Sequence, residues 1–70
     1  MENVEAYSEL RRLVKKYITS INKKTELLEI LMREENPPPV RGIVNDIYEA
    51  TNAITAEDKD LIDDLMYFFG

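Results

Sequence analysis

The sequence predicts a small all-α protein, and three observations support that prediction. The chain has only two glycines and three prolines in 70 residues, whereas β-hairpin proteins need many more turn residues. Its hydrophobic fraction of 44% is normal for a globular chain and too high for disorder. Its apolar residues recur at spacings of three and four, which indicates buried helical faces. We therefore expect one helical domain over residues 1–70, folded as an antiparallel four-helix bundle.

The first helix is expected over about residues 4–20. Acidic side chains stand at its start and basic ones toward its end, an order that complements the helix dipole. The apolar stripe that should be buried consists of Val4, Tyr7, Leu10, Val14, Tyr17 and Ile21.

The second helix is expected over about residues 25–35, after a polar break at residues 20–24 and with Thr25 as its N-cap. The alternative is three helices, in which the first continues to Glu35. Such a helix would be about 50 Å long, and the shorter later helices could cover it only if the protein dimerised. We prefer the break. The apolar residues of the second helix are Leu27, Leu28, Ile30 and Leu31.

The third helix is expected over about residues 39–52, after three prolines that end the second helix. Proline is well suited to the first position of a helix, which places Pro39 at its start. This segment has the clearest amphipathic pattern in the chain. Its apolar face consists of Val40, Ile43, Val44, Ile47, Tyr48 and Thr51.

The fourth helix is expected over about residues 56–69. Thr55 is a suitable N-cap, and the acidic Glu57 and Asp58 favour the positive end of the helix dipole. Asp58 stands where a capping box would have Glu or Gln. The side expected to be buried consists of Leu61, Ile62, Leu65, Met66, Phe68 and Phe69.

The composition argues against catalysis. The chain has no cysteine and no histidine, so the common nucleophile–base pairs and the commonest metal ligands are missing. We expect no enzyme activity and no cofactor. A cluster of Asp58, Asp60, Asp63 and Asp64 lacks the central glycine of an EF-hand loop, so a solvated helix face is preferred over a metal site.

Charge is distributed unevenly along the chain. Residues 1–36 are neutral overall, whereas residues 37–70 carry the whole net charge of −5. Because phosphates would be repelled, we expect no direct binding to nucleic acid. A solvated helix end is preferred over contact with phosphate or anionic lipid for the basic residues Arg11, Arg12, Lys15, Lys16, Lys23 and Lys24.

The candidate contact residues are acidic side chains near one tyrosine. Tyr67 falls on the acidic side of the fourth helix, and tyrosine is enriched at protein-binding hot spots. An ordinary exposed aromatic is an equally good interpretation. The aromatic end, residues 67–70, could also dock a partner or a second copy in a homodimer. The protein-binding candidates are Asp60, Asp63, Asp64 and Tyr67, with Asp46 and Glu49 on the third helix.

Part of the second half resembles a known family. Asn36-Pro37-Pro38-Pro39, Val44-Asn45-Asp46-Ile47-Tyr48 and the segment 54–62 are similar to the third and fourth helices of immunity proteins for pediocin-like (class IIa) bacteriocins. The resemblance implies a small cytosolic antiparallel four-helix bundle that protects the producing cell. It also implies a partner, the mannose phosphotransferase permease with bound bacteriocin, at the inner membrane face. Thr55 and Glu57 match positions that start a helix in that family.

The functional expectation is therefore a non-catalytic protein-binding module. The first hypothesis is bacteriocin immunity through contact with a membrane permease–bacteriocin complex. The alternatives are an acidic regulatory or phage-type inhibitor that occupies a basic surface of a host protein, and a dimerising structural module. The acidic N-terminal segment lacks the pattern of a signal peptide, so a cytoplasmic location is expected.

Overall fold

In the computed structural model, which describes all 70 residues, the chain forms four helices and no strand. The all-α class is confirmed, and packing as an antiparallel bundle stays a prediction. No helix has the length and apolar character needed to cross a membrane. The helices are α1 (Asn3–Tyr17), α2 (Ile21–Met32), α3 (Val40–Ala50) and α4 (Ala56–Phe69).

The break between α1 and α2 is real, so the three-helix alternative is wrong. Ile18 leaves the helical conformation, with φ −89° and ψ 111°, and its side chain is 2% exposed. Because Ile18 enters the core through an extended backbone, α1 ends at Tyr17 and not at Ser20. Because the helix is interrupted there, Ile21 does not continue the buried face of α1. It is 78% exposed, whereas the sequence predicted that it would be buried.

The N-cap of α2 is Ser20, so the prediction of Thr25 is wrong. The Ser20 hydroxyl accepts a hydrogen bond from the backbone N–H of Lys23 at 3.3 Å. Its carbonyl accepts the first bond of the helix, from the Lys24 N–H at 2.9 Å. Ser20 itself is extended, as an N-cap residue is, and the lysines that follow it are tolerated inside the helix.

A single apolar core joins the four helices. It includes three buried residues that the stripes did not contain, Ala6, Leu13 and Ile54, in addition to Ile18. Leu28, Ile30, Leu61, Met66 and Phe69 are only partly buried against it. The buried members are Ala6, Tyr7, Leu10, Leu13, Val14, Tyr17, Ile18, Leu27, Leu31, Val40, Ile43, Val44, Ile47, Ile54, Ile62 and Leu65.

Three further residues expected in the core are exposed. Val4 lies in the first turn of α1 and is 67% exposed, because the chain does not cover that end of the stripe. Tyr48 and Phe68 lie at the margins of their helices' apolar faces and are also exposed. Periodicity identifies a helix face correctly but does not show how far neighbouring helices extend over it.

The helices form a flat particle. The closest pairs are α1 with α2, α1 with α3, and α3 with α4, and the Cα extents are 27 × 27 × 15 Å. The Tyr7 hydroxyl donates to the Glu35 carbonyl, which ties the start of α1 to the segment after α2. At the far end of α4, Arg41 donates to the Gly70 carbonyl at 3.0 Å.

The two candidate caps can be separated by substitution. Ser20→Ala removes the hydroxyl that satisfies a first-turn amide, so it should lower the free energy of unfolding by about 1 kcal/mol. Thr25→Ala is the matched control. Thr25 lies inside α2 and is exposed, so its replacement by a stronger helix former should be neutral or slightly stabilising. Urea denaturation followed by circular dichroism measures both, and equal losses would contradict the observed cap.

Candidate functional site

The fourth helix carries the only buried charged side chain of the protein, Asp58, which is 5% exposed. Thr55 is the N-cap of α4, and its hydroxyl accepts from the Asp58 backbone N–H at 3.1 Å. Asp58 shares a helical stripe with three apolar residues at spacings of four, three and four, so its side chain is directed toward the core side of α4. Those residues are Ile62, Leu65 and Phe69.

The Asp58 carboxylate binds three side chains from the end of α1. Its Oδ1 accepts from Arg12 Nη2 at 2.8 Å, and its Oδ2 accepts from Lys16 Nζ at 2.7 Å. The Tyr17 hydroxyl also donates to Oδ2. Arg12 and Lys16 are four residues apart and so lie on one face of α1. This arrangement of Arg12, Lys16, Tyr17, Thr55 and Asp58 is called the Asp58 cluster below.

The charges in the Asp58 cluster stabilise one another. Hydrogen bonds from Arg12, then Lys16 and Tyr17, hold the pKa of Asp58 far below its usual value. The hydrogen bond to Asp58 raises the pKa of Arg12 and that of Lys16. Their side chains are nearly half exposed, so solvent screens part of this attraction.

The polar groups of Tyr17, Thr55 and Asp58 are hydrogen-bonded to one another. The Tyr17 oxygen accepts from the Thr55 backbone N–H at 3.2 Å, while its hydrogen goes to Asp58. No buried side-chain nitrogen or oxygen in the protein lacks a hydrogen-bond partner. The cluster therefore joins the end of α1 to the start of α4, and its geometry is that of a structural clamp.

The outer side of α4 presents most of the candidate residues named from the sequence. Asp60, Asp63, Asp64 and Tyr67 are all exposed, and their spacing places them on one side of the helix. None of the three carboxylates has a cationic group within 4 Å, which distinguishes them from Asp58. We call these four residues together with Phe68 the α4 outer face.

The α4 outer face ends in two exposed aromatic rings. Tyr67 is 83% exposed and Phe68 is 53% exposed. Their rings meet edge to face with centroids 5.1 Å apart, a favourable aromatic geometry. Phe69, partly buried, lies beside Phe68 with centroids 6.5 Å apart. This end of the protein therefore offers apolar surface next to negative charge.

The two candidates on α3 are not part of that face. Asp46 forms an ion pair with Lys23 at 3.5 Å, which joins α3 to the start of α2. Glu49 is exposed near the end of α3. The structure therefore places the α4 candidates on one side of a single helix, and it places these two on α3.

The basic residues do not form one patch. Arg12 and Lys16 bind Asp58, and Lys23 lies near Glu26 and Asp46. No group of three or more acidic side chains is arranged to hold a metal ion. Within the cluster considered from the sequence, Asp58 is directed to α1 while Asp60, Asp63 and Asp64 are exposed.

Comparison with protein-family models, curated proteins and solved structures finds no match for this chain. What the structure itself defines is an all-α protein with four helices. It has an ion-pair cluster around a buried carboxylate at one end of α4 and an exposed acidic and aromatic surface along the rest of that helix.

Replacing the buried carboxylate tests the clamp. Asp58→Asn removes the charge that Arg12 and Lys16 share, so at pH 7 it should lower the free energy of unfolding by roughly 1–3 kcal/mol. The loss should be below that of a fully buried pair, because both cations retain access to water. Asp60→Asn on the exposed side is the control and should change stability by less than about 0.5 kcal/mol.

A comparison of wild type with Asp58→Asn also tests how the contribution of Asp58 to stability depends on pH. The pKa of Asp58 is lower in the folded state than its ordinary value of 3.8, so its contribution to stability is fully present above that value. It is lost as the pH falls below about 4 toward the lowered folded pKa. Denaturation curves should therefore show a constant difference between wild type and Asp58→Asn near neutral pH, and a shrinking difference in acid. A difference that grew on acidification would contradict the assignment.

Proposed function

We propose that this protein is a non-catalytic protein-binding module that contacts its partner through the α4 outer face. The observation that carries the proposal is the pair of exposed aromatic rings, Tyr67 and Phe68, beside carboxylates that have no ion-pair partner. Large aromatic side chains are enriched at binding hot spots because they bury much area with few rotatable bonds.

The charges on the α4 outer face would select the partner. Three unpaired carboxylates attract a basic surface and repel an acidic one, which increases association rates and specificity more than affinity. The face lies on a regular helix whose first turn is held by the Asp58 cluster. A rigid element of this kind keeps the contact residues in place before binding.

Bacteriocin immunity is the biological role that we propose first. It is supported by the resemblance of about residues 36–66 to pediocin-like immunity proteins, and it entails the antiparallel four-helix bundle of that family. In this role, the α4 outer face would contact a membrane permease with bound bacteriocin from the cytoplasmic side, at the inner membrane face.

Expression in a sensitive bacterium tests this role. The chain should raise tolerance to at least one class IIa bacteriocin, and Tyr67→Ala should abolish the protection because it removes the central contact side chain. Tyr48→Ala is the matched control, since it removes an exposed tyrosine from another helix. Growth inhibition by a panel of peptides is the measurement. Soluble expression without protection against any of them would reject the role.

The second candidate is an acidic regulatory or phage-type inhibitor that occupies a basic surface of a host protein. It is favoured by Asp60, Asp63 and Asp64, whose charges nothing in the chain neutralises within 4 Å. The third hypothesis, a dimer built on a fused first helix, loses its basis because Ile18 and Ser20 are extended.

The inhibitor candidate predicts salt-sensitive capture of a basic protein. Changing all three aspartates to asparagine should reduce capture by about tenfold or more, because the attraction is electrostatic and screened by salt. Glu29→Gln, Glu34→Gln and Glu35→Gln together form the control, with the same change in net charge at exposed positions elsewhere. Immobilised protein, a salt series and mass spectrometry of the eluate provide the measurement. Equal capture by the two triple variants would reject this candidate.

A further inference from the structure

A groove runs between the first half of α1 and the middle of α4. Its volume is about 400 Å³, and the residues that line it are Met1, Val4, Glu5, Ser8, Glu9 and Leu61. The Asp58 cluster joins these helices at one end, but α1 and α4 are not among the closely packed helix pairs. The groove is the space that remains between α1 and α4 beyond the Asp58 cluster.

Three of the six residues that line the groove are apolar. Val4 is 67% exposed, and Met1 and Leu61 are partly buried against the core. Phe68 follows Leu61 by seven residues, so it lies two turns farther along the same side of α4. The apolar surface therefore extends from the groove toward the exposed aromatic end of the α4 outer face.

Acidic residues line and border the groove. Glu5 and Glu9 line it from α1, and Glu57 and Asp64 lie one turn on either side of Leu61 on α4. Glu5, Glu57 and Asp64 have no cation within 4 Å. An apolar strip bordered by carboxylates is complementary to a surface with the opposite pattern.

The α-ammonium of Met1, a lining residue, has no carboxylate within 4 Å. The other cations near the groove do not cancel its negative charge. Arg12 lies at the clamped end, where it binds Asp58 at 2.8 Å and Glu9 at 3.4 Å. Lys59 is two residues from Leu61 and so lies on the opposite side of α4. Arg11 lines a separate depression on the other side of Val4, with Tyr7 and Glu34.

We infer that this groove binds a cationic amphipathic helix of the partner protein. The inference rests on the proposed function and names the chemistry of the bound segment. Apolar side chains at spacings of three and four would enter the strip, and flanking Lys or Arg would meet the carboxylates. A second copy of α4 would bring like charges together, and an anionic membrane would be repelled for the same reason.

Synthetic peptides provide the probe. A helical peptide of about 14 residues spans about 21 Å, which is comparable with the width of the protein. The test peptide carries one leucine stripe and lysines elsewhere. One control has the same composition in scrambled order, and the other has the same stripe with glutamates in place of lysines. Fluorescence anisotropy with the full chain measures binding.

The test peptide should bind at least about tenfold more tightly than either control, and added salt should weaken it. Equal binding of the scrambled peptide would overturn the inference, because general charge attraction would then suffice. Self-association of the chain through the groove, detected by light scattering and abolished by Val4→Lys, would also overturn it.

Two variants localise the site. Val4→Lys places a positive charge in the groove at an exposed position and should weaken binding of the test peptide by roughly tenfold. Met32→Lys adds the same charge at a position that is 76% exposed at the end of α2, and it should leave binding unchanged. Circular dichroism confirms that both variants fold. Equal affinities for the two would overturn the inference.

The groove and the proposed function can fail separately. The peptide assay does not depend on the natural partner, whereas the protection assay with Tyr67→Ala does. If the peptide does not bind but protection still requires Tyr67, the groove inference is wrong and the proposed function stands. If the peptide binds but no protection or capture depends on the α4 outer face, the proposed function is wrong.

Discussion

One buried carboxylate links the start of α4 to the end of α1. Asp58 is almost fully removed from water, and a charge in that position is tolerated only when it is paired and fully hydrogen-bonded. Arg12, Lys16 and Tyr17 satisfy this requirement from α1. Since α1 and α4 pack closely with other helices and not with each other, these polar contacts and the shared apolar core join the two helices. The groove and the exposed side of α4 both follow from that arrangement.

Most of the fold was predictable because it depends on local sequence signals. Apolar spacing identified the helical regions, and the prolines after Asn36 separated α2 from α3. The errors lie where several local signals compete. Ser20 and Thr25 are both acceptable caps, and the choice between them was made by burial of Ile18, which brings the chain into the core in an extended conformation. The burial of Ile18 depends on residues that are distant in sequence, so no local sequence pattern predicts it.

The candidate site was predictable in one part and missed in another. Exposure of Asp60, Asp63, Asp64 and Tyr67 follows from the helical phase of α4. The role of Asp58 was missed because it also fits the acidic first turn of a helix. Its place in a stripe with Ile62 and Leu65 was the available signal, since a charge in an apolar stripe requires a partner. Identifying that partner required the contact with α1, more than 40 positions away in sequence.

The flatness of the particle has a consequence for how it unfolds. At 15 Å, its thinnest Cα dimension corresponds to about two packed helices, and all its buried apolar residues belong to a single cluster. No subset of the helices has a hydrophobic core of its own. Loss of any one helix would therefore expose the whole apolar interior, so opening to a protease should be cooperative and involve the entire chain.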